Sequence, residues 1–148
     1  MITITADGAC SGNGQANPSA GWAAILRSNG KHKIISGKLP GKQTNNRAEL
    51  TAVLEAFRAL KVKEVDITLR LDSDYVGRGI TEWMNKWQAN GWRNMKKGHH
   101  APIENQDLWE QIYAISQGYH ISYEHITGHS GDEDNERCDA LAKLESIR

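Results

Sequence analysis

The stretch Arg70-Leu71-Asp72-Ser73-Asp74-Tyr75 (RLDSDY) decides how the rest of the chain is read. It follows Val65-Asp66-Ile67-Thr68-Leu69, where apolar and polar residues alternate as in a half-buried strand. A strand built for burial that ends in carboxylates poses a physical problem. An unpartnered buried carboxylate costs several kcal/mol or is driven to its neutral form. Negative charge at that strand end therefore calls for a counter-charge.

The 148 residues fit one domain, and 39% hydrophobic content supports a real core. Lys+Arg and Asp+Glu both total 18, so overall charge points to no partner and only local clustering is informative. Cys10 and Cys138 are far apart and form neither a disulfide framework nor a zinc pattern. A reduced, cytoplasmic compartment is the simplest expectation. The opening MITITADGAC lacks the basic and apolar regions of a signal peptide. No stretch approaches the roughly 20 apolar residues that span a bilayer, so no membrane is expected as a partner.

Working outward, residues 2–7 alternate as a strand, with Ile2, Ile4 and Ala6 on one side and Thr3, Thr5 and Asp7 on the other. Gly8 to Ser19 is rich in Gly and Asn and reads as a loop. Trp22 to Arg27 and Lys33 to Ser36 read as strands joined by Ser28-Asn29-Gly30-Lys31, a hairpin signal because Asn-Gly accepts positive φ. Leu50, Val53, Leu54, Phe57 and Leu60 recur at helical spacing within residues 46–61. After the 65–72 strand, residues 75–90 predict a helix broken near Thr81, and 105–117 a second. His120 to Thr127 alternates as a last strand, and Glu133 to Ile147 closes as a helix. This order predicts an α/β domain with a mixed sheet in which the first and fourth strands lie parallel.

Parallel neighbours would bring Asp7 and Asp72 together at their carboxyl ends, where open α/β sheets place ligands. On a helical wheel Glu49 lies about 75° from the centre of the Leu50/Val53/Leu54/Phe57/Leu60 stripe and so flanks the buried face. Asn46 and Glu49 also match a capping box, which alone would explain Glu49. Asp139 shares a helix face with Asn135 and Ala142, and alone it reads as an acid favoured by the helix dipole. Asp7 and Asp72 could likewise be strand-end residues turning into solvent. Four acids able to meet at one sheet end make the stronger pattern.

Five segments in order, TADGACSGNG (5–14), QTNNRAEL (43–50), RLDSDYV (70–76), ITEWMNKWQANGWR (80–93) and TGHSGDEDNERCDALA (127–142), carry a resemblance. Together they resemble the ribonuclease HI family over roughly residues 2–145. The resemblance implies an RNase H-like fold, a five-stranded mixed sheet in the order 3-2-1-4-5 flanked by helices. It implies an endonuclease that hydrolyses the RNA strand of RNA–DNA hybrids and leaves 5′-phosphate and 3′-hydroxyl ends. The implied metal ligands are Asp7, Glu49, Asp72 and Asp139, holding two magnesium ions, with manganese as a substitute. Asp7 and Asp72 would be the inner ligands, and Glu49 and Asp139 would complete one site each. An all-oxygen set suits such hard cations rather than zinc. His129, between Gly128 and Ser130-Gly131, would move a proton in catalysis. Its ordinary reading is an exposed loop histidine.

The 2′-hydroxyl distinguishes RNA from DNA, and short polar side chains are suited to reading it. Asn13, Asn45 and Asn46 flank the implied ligands and are assigned to that task, although Asn13 also reads as a turn former and Asn46 as a helix cap. Thr44 and Asn105, with Lys42, correspond to the family's grip on a DNA phosphate. Residues 83–103 contain Lys86, Arg93, Lys96 and Lys97 and no acid, a local basic footprint. Trp87 and Trp92 are assigned to sugar or backbone contact there, Trp83 partly to the core, and His99 and His100 to phosphate. The segment is less basic than in many members, because Gln88-Ala89-Asn90 interrupts it. The glycine-rich loop through Gly21 is longer than in many bacterial members, which leaves Asn13 and Asn17 as alternatives. Thr127 stands where a basic or proline residue often precedes Gly-His. The chain starts directly at its first strand, so a single catalytic domain acting as a monomer, without a hybrid-binding module, is expected. Two alternatives share the acid pattern or the basic patch: a DNA strand-transfer domain and a non-catalytic binding module.

Overall fold

A computed structural model describes residues 1–11, 19–94, 101–128 and 130–148. Asn13, Asn17, Lys96, Lys97, His99, His100 and His129 lie outside the described residues. The chain runs β1 (Ile2–Ser11), β2 (Ser19–Ser28), β3 (Lys31–Pro40), α1 (Asn45–Ala59), β4 (Asp66–Leu71), α2 (Asp74–Arg78), a π-helical turn (Gly79–Trp83), α3 (Met84–Ala89), β5 (Arg93–Asn94), β6 (Ala101–Pro102), α4 (Gln106–Ser116), β7 (His120–His125) and α5 (Glu133–Ile147). One five-stranded sheet has the order β3-β2-β1-β4-β7, which is the expected 3-2-1-4-5. The short β5–β6 ladder is a separate addition that the sequence pattern did not suggest.

β1, β2 and β3 pair antiparallel, and β4 runs parallel to both β1 and β7. The hairpin turn places Asn29 at φ 51° and Gly30 at φ 76°, the positive values its sequence predicts. Isoleucines of β1 and the Ile67, Leu69 and Leu71 row of β4 bury against Leu50, Val53, Leu54 and Phe57 of α1. The opposite face of the sheet carries a smaller apolar cluster, Ala23 and Ile25 against Cys138 and Ala142 of α5.

Three expectations change. The loop expected from Gly8 to Ser19 is shorter, because Gly8 to Ser11 continue the ladder opposite Trp22 to Ser19. The small residues that signal turns here also fit a strand edge beneath helices. The Asn46–Glu49 capping box does not form. Thr44 caps α1 instead, its Oγ1 accepting from Arg47 N–H at 3.1 Å, which puts Asn46 inside the first turn. The break expected near Thr81 is a π-helical turn, in which Thr81 Oγ1 donates to the Gly77 carbonyl at 2.9 Å. A hydroxyl bonding back four residues loosens a helix in this way.

A Cβ at Gly21 would fall inside van der Waals contact of the Ala142 carbonyl, so β2 and α5 meet backbone to backbone there. G21A should destabilise the protein by about 1–3 kcal/mol, the usual cost of overpacking, as a lower urea midpoint at unchanged slope. An unchanged midpoint would show that the two elements are not in this contact.

Candidate metal centre

Asp7 lies on the α5 face of the sheet, in phase with Thr3 and Thr5, and is only 4% exposed. Its Oδ1 accepts from the Gly8 N–H at 2.9 Å. Gly8 permits the approach that matters most. A Cβ there would overlap the backbone of Ala48 and Glu49, so α1 rests directly on β1 and delivers Glu49 beside Asp7. Asp72 follows the last residue of β4. The next residue, Ser73, starts α2 by accepting from Val76 N–H at 3.2 Å, which turns the chain away and leaves the Asp72 carboxylate at the sheet end.

One carboxylate oxygen from each of Asp7, Glu49 and Asp72 lies within 4.8 Å of the other two. Burial, then the neighbouring charges of Asp72 and Glu49, pushes the Asp7 carboxyl up to about 8, against the opposing pull of the Gly8 N–H. Burial, then the Asp72 charge, raises Glu49 to about 7. Crowded acids with raised proton affinity are what an uncompensated cation site looks like. The donors are all carboxylate oxygens, with no cysteine or histidine in the group, and so fit a hard divalent cation.

Asp139 stands outside that tight group. Its Oδ2 is 2.9 Å from Lys143 Nζ, one turn on along α5, although it is near enough for its charge to raise Asp7. A Cβ at Gly128 would come within 3.5 Å of Asp72 Oδ2, so the loop out of β7 passes the acids.

Thr44, Asn45 and Asn46 are exposed at the start of α1, one turn before Glu49. Asn105, at φ 60°, precedes α4. Its Oδ1 accepts from the Arg47 guanidinium at 3.4 Å, and its Nδ2 donates to the Tyr75 hydroxyl at 3.4 Å. Arg47 therefore links Thr44, through its N–H, to Asn105, and its fork grips Asp107 at 2.9 and 2.7 Å. This junction was missed in the sequence; the signal was the Arg within TNNRAEL. Trp87 packs on Trp109 at 5.1 Å and on Trp83 at 5.9 Å, and Trp92 packs on Tyr113 at 5.8 Å. Both rings are half-buried against the core, and Trp83 carries Arg78 over its face at 4.9 Å.

The RNase H family model matches residues 1–147. The chain is 50% identical over 143 residues to Ribonuclease H of Polaromonas naphthalenivorans (strain CJ2), covering 95% of this chain and 84% of that protein. It is 46% identical over 142 residues to Ribonuclease H of Pelobacter propionicus, covering 96% and 82%. Among solved structures, LC9-RNase H1, described as a type 1 RNase H with the type 2 active-site motif, superposes with a TM-score of 0.82 at 28% identity, over 99% of this chain and 72% of that one. LC11-RNase H1, solved with an RNA/DNA hybrid, shares the fold with a TM-score of 0.71 at 20% identity, over 99% and 97%. The sequence and the fold are thus those of a known nuclease class. The chain belongs to the ribonuclease H family.

Asp7 and Glu49 have folded-state pKa values above those of an unfolded chain. Their contribution to stability is therefore fully present below the unfolded values and is lost as pH rises through about 7 and 8. In chelator, the thermal midpoint of the parent should fall more steeply from pH 5 to 8.5 than that of D7N. At pH 8 the metal-free variant should be the more stable, by roughly 3 °C per kcal/mol recovered in a chain of this size. Parallel pH curves would refute the crowding.

Proposed function

We propose that this chain is the endonuclease its family implies, hydrolysing the RNA strand of RNA–DNA hybrids to 5′-phosphate and 3′-hydroxyl ends, with magnesium as the cofactor and manganese as a substitute. The observation that carries the reading is the Asp7, Glu49 and Asp72 oxygen cluster in a member of the ribonuclease H family. Two divalent ions held there would lower the pKa of a bound water and neutralise charge on the attacking and leaving oxygens.

In this reading the protein's own residues supply position. Asp7 and Asp72 would be the inner ligands, with Glu49 completing one site. Asp139 would complete the other. Its ion pair with Lys143, whose side chain is 62% exposed, is of the solvent-screened surface kind and gives way readily. His129 carries the proton, as an imidazole with a pKa near neutrality can. Asn13, Asn45 and Asn46 read the RNA strand. Thr44 and Asn105 hold a DNA phosphate; their shared link to Arg47 supports treating them as one grip. Trp87 and Trp92 offer their outer faces to sugars, and Lys86 is exposed next to Trp87. The family match over residues 1–147 supports a single catalytic domain. A cytoplasmic setting is part of the same reading, as the chain's two scattered cysteines suit a reducing compartment.

The test is a labelled RNA–DNA hybrid incubated with and without magnesium, beside single-stranded RNA and duplex DNA. Cleavage of the hybrid's RNA strand alone, and only with metal, is expected. D72N should lower kcat by at least 10²–10³-fold, the scale of losing one charge-stabilising group. Full activity in D72N, or equal cutting of duplex DNA, would overturn the reading.

A further inference from the structure

The helix that carries Asp139 is held unevenly. At its C-terminal end the Ser146 carbonyl accepts from Ser11 Oγ at 2.7 Å and from Ser19 Oγ. In its middle the Gly21–Ala142 contact seats it on β2. Its apolar contact is small, Cys138 and Ala142 against Ala23 and Ile25. Toward the N-terminus Asn135 is 3% exposed, and its Nδ2 has no partner among the described residues. Apolar burial is therefore a weak hold on this end.

Two arginines grip it instead. Arg27 of β2 closes a fork on Asp134 at 2.6 and 2.8 Å. Arg70 of β4 bonds Asp132, the residue whose Oδ1 caps α5 by accepting from Asn135 N–H at 2.9 Å. The same guanidinium reaches Thr5 Oγ1 on β1 at 3.4 Å and Glu124 on β7 at 3.5 Å. The Arg70 and Asp132 side chains are each only 21% exposed, so their pair is sheltered, unlike the rim pairs. Arg70 lies two residues before Asp72 on the same face of β4, and Thr5 lies two before Asp7 on β1.

We infer that Arg70 is a positioning residue. Its guanidinium sets the stance of α5 against the two strands that carry Asp7 and Asp72, and so the distance from Asp139 to the other three acids. With the far end of α5 pinned at Ser146, losing the Arg70 grip lets the Asp139 end swing. This rests on the proposed role of Asp139 as a ligand. The side-chain partners of Arg70 are Thr5, Asp132 and Glu124, none of them a proposed ligand.

The experiment compares R70M, R70K, D132N and D139N with the parent, at a temperature where urea titration shows each to be folded. The readouts are kcat and KM on the hybrid, and calorimetric manganese binding. R70M should lose on the order of tenfold in kcat, as a small misplacement near the chemistry does, with KM within about twofold. It should also bind manganese more weakly. R70K keeps the charge on Asp132 and should recover most of the loss. D132N keeps a capping oxygen, loses the ion pair and should behave like R70M. Unchanged kcat and manganese affinity in R70M, or R70K no better than R70M, would overturn the inference while an inactive D139N leaves the functional reading standing. A fully active D139N would remove both.

Discussion

Three carboxylates pressed into one mostly buried corner repel one another, and the rest of the fold is arranged to hold them there. No local segment could do it. Asp7, Glu49 and Asp72 come from a strand, a helix and a strand end, and each is fixed by a different device. Asp7 is fixed by the sheet ladder and the Gly8 N–H, and Asp72 by the turn that Ser73 begins. Glu49 is fixed by the missing side chain at Gly8, which lets α1 lie on β1. The raised proton affinity of Asp7 and Glu49 is the energetic trace of that burial and, after it, of the crowding.

The two faces of the sheet hold their helices by different physics. On one, α1 is locked by a continuous core of Ile, Leu, Val and Phe, which cannot shift without opening voids. On the other, α5 rests on a small cluster of side chains, a backbone contact at Gly21 and paired charges at its start. Glu49, fed from the first face, is therefore set rigidly. Asp139, fed from the second, is set by directional bonds. It stands at the rim in the company of Lys143.

What the sequence disclosed follows the same division. Strand alternation, the Asn-Gly hairpin and the Leu50-to-Leu60 stripe report burial by period, and they led to a mixed sheet with β1 and β4 parallel and to three acids that meet, whereas the full strand order came from the family resemblance. The chain-order pattern could not show which helix end would be capped by which residue. Thr44 and Asn46 are both good caps, and the sequence alone does not choose between them. Arg70 was invisible as an anchor, because in the strand pattern it is only one more polar residue in phase with Asp72. Its partner Asp132 is 62 positions away, with nothing in spacing to join them. The loop after Gly8 was misjudged because small residues signal both turns and close packing.

The scattering of the acids over positions 7, 49 and 72 has a consequence for how such a chain matures. A growing or partly unravelled polypeptide has each carboxylate in open water, where it holds no ion and endangers no nucleic acid. The anionic pocket exists only once β4 lies alongside β1 and α1 is seated on Gly8. A divalent ion held by all three acids would therefore bind the finished fold and not the open chain.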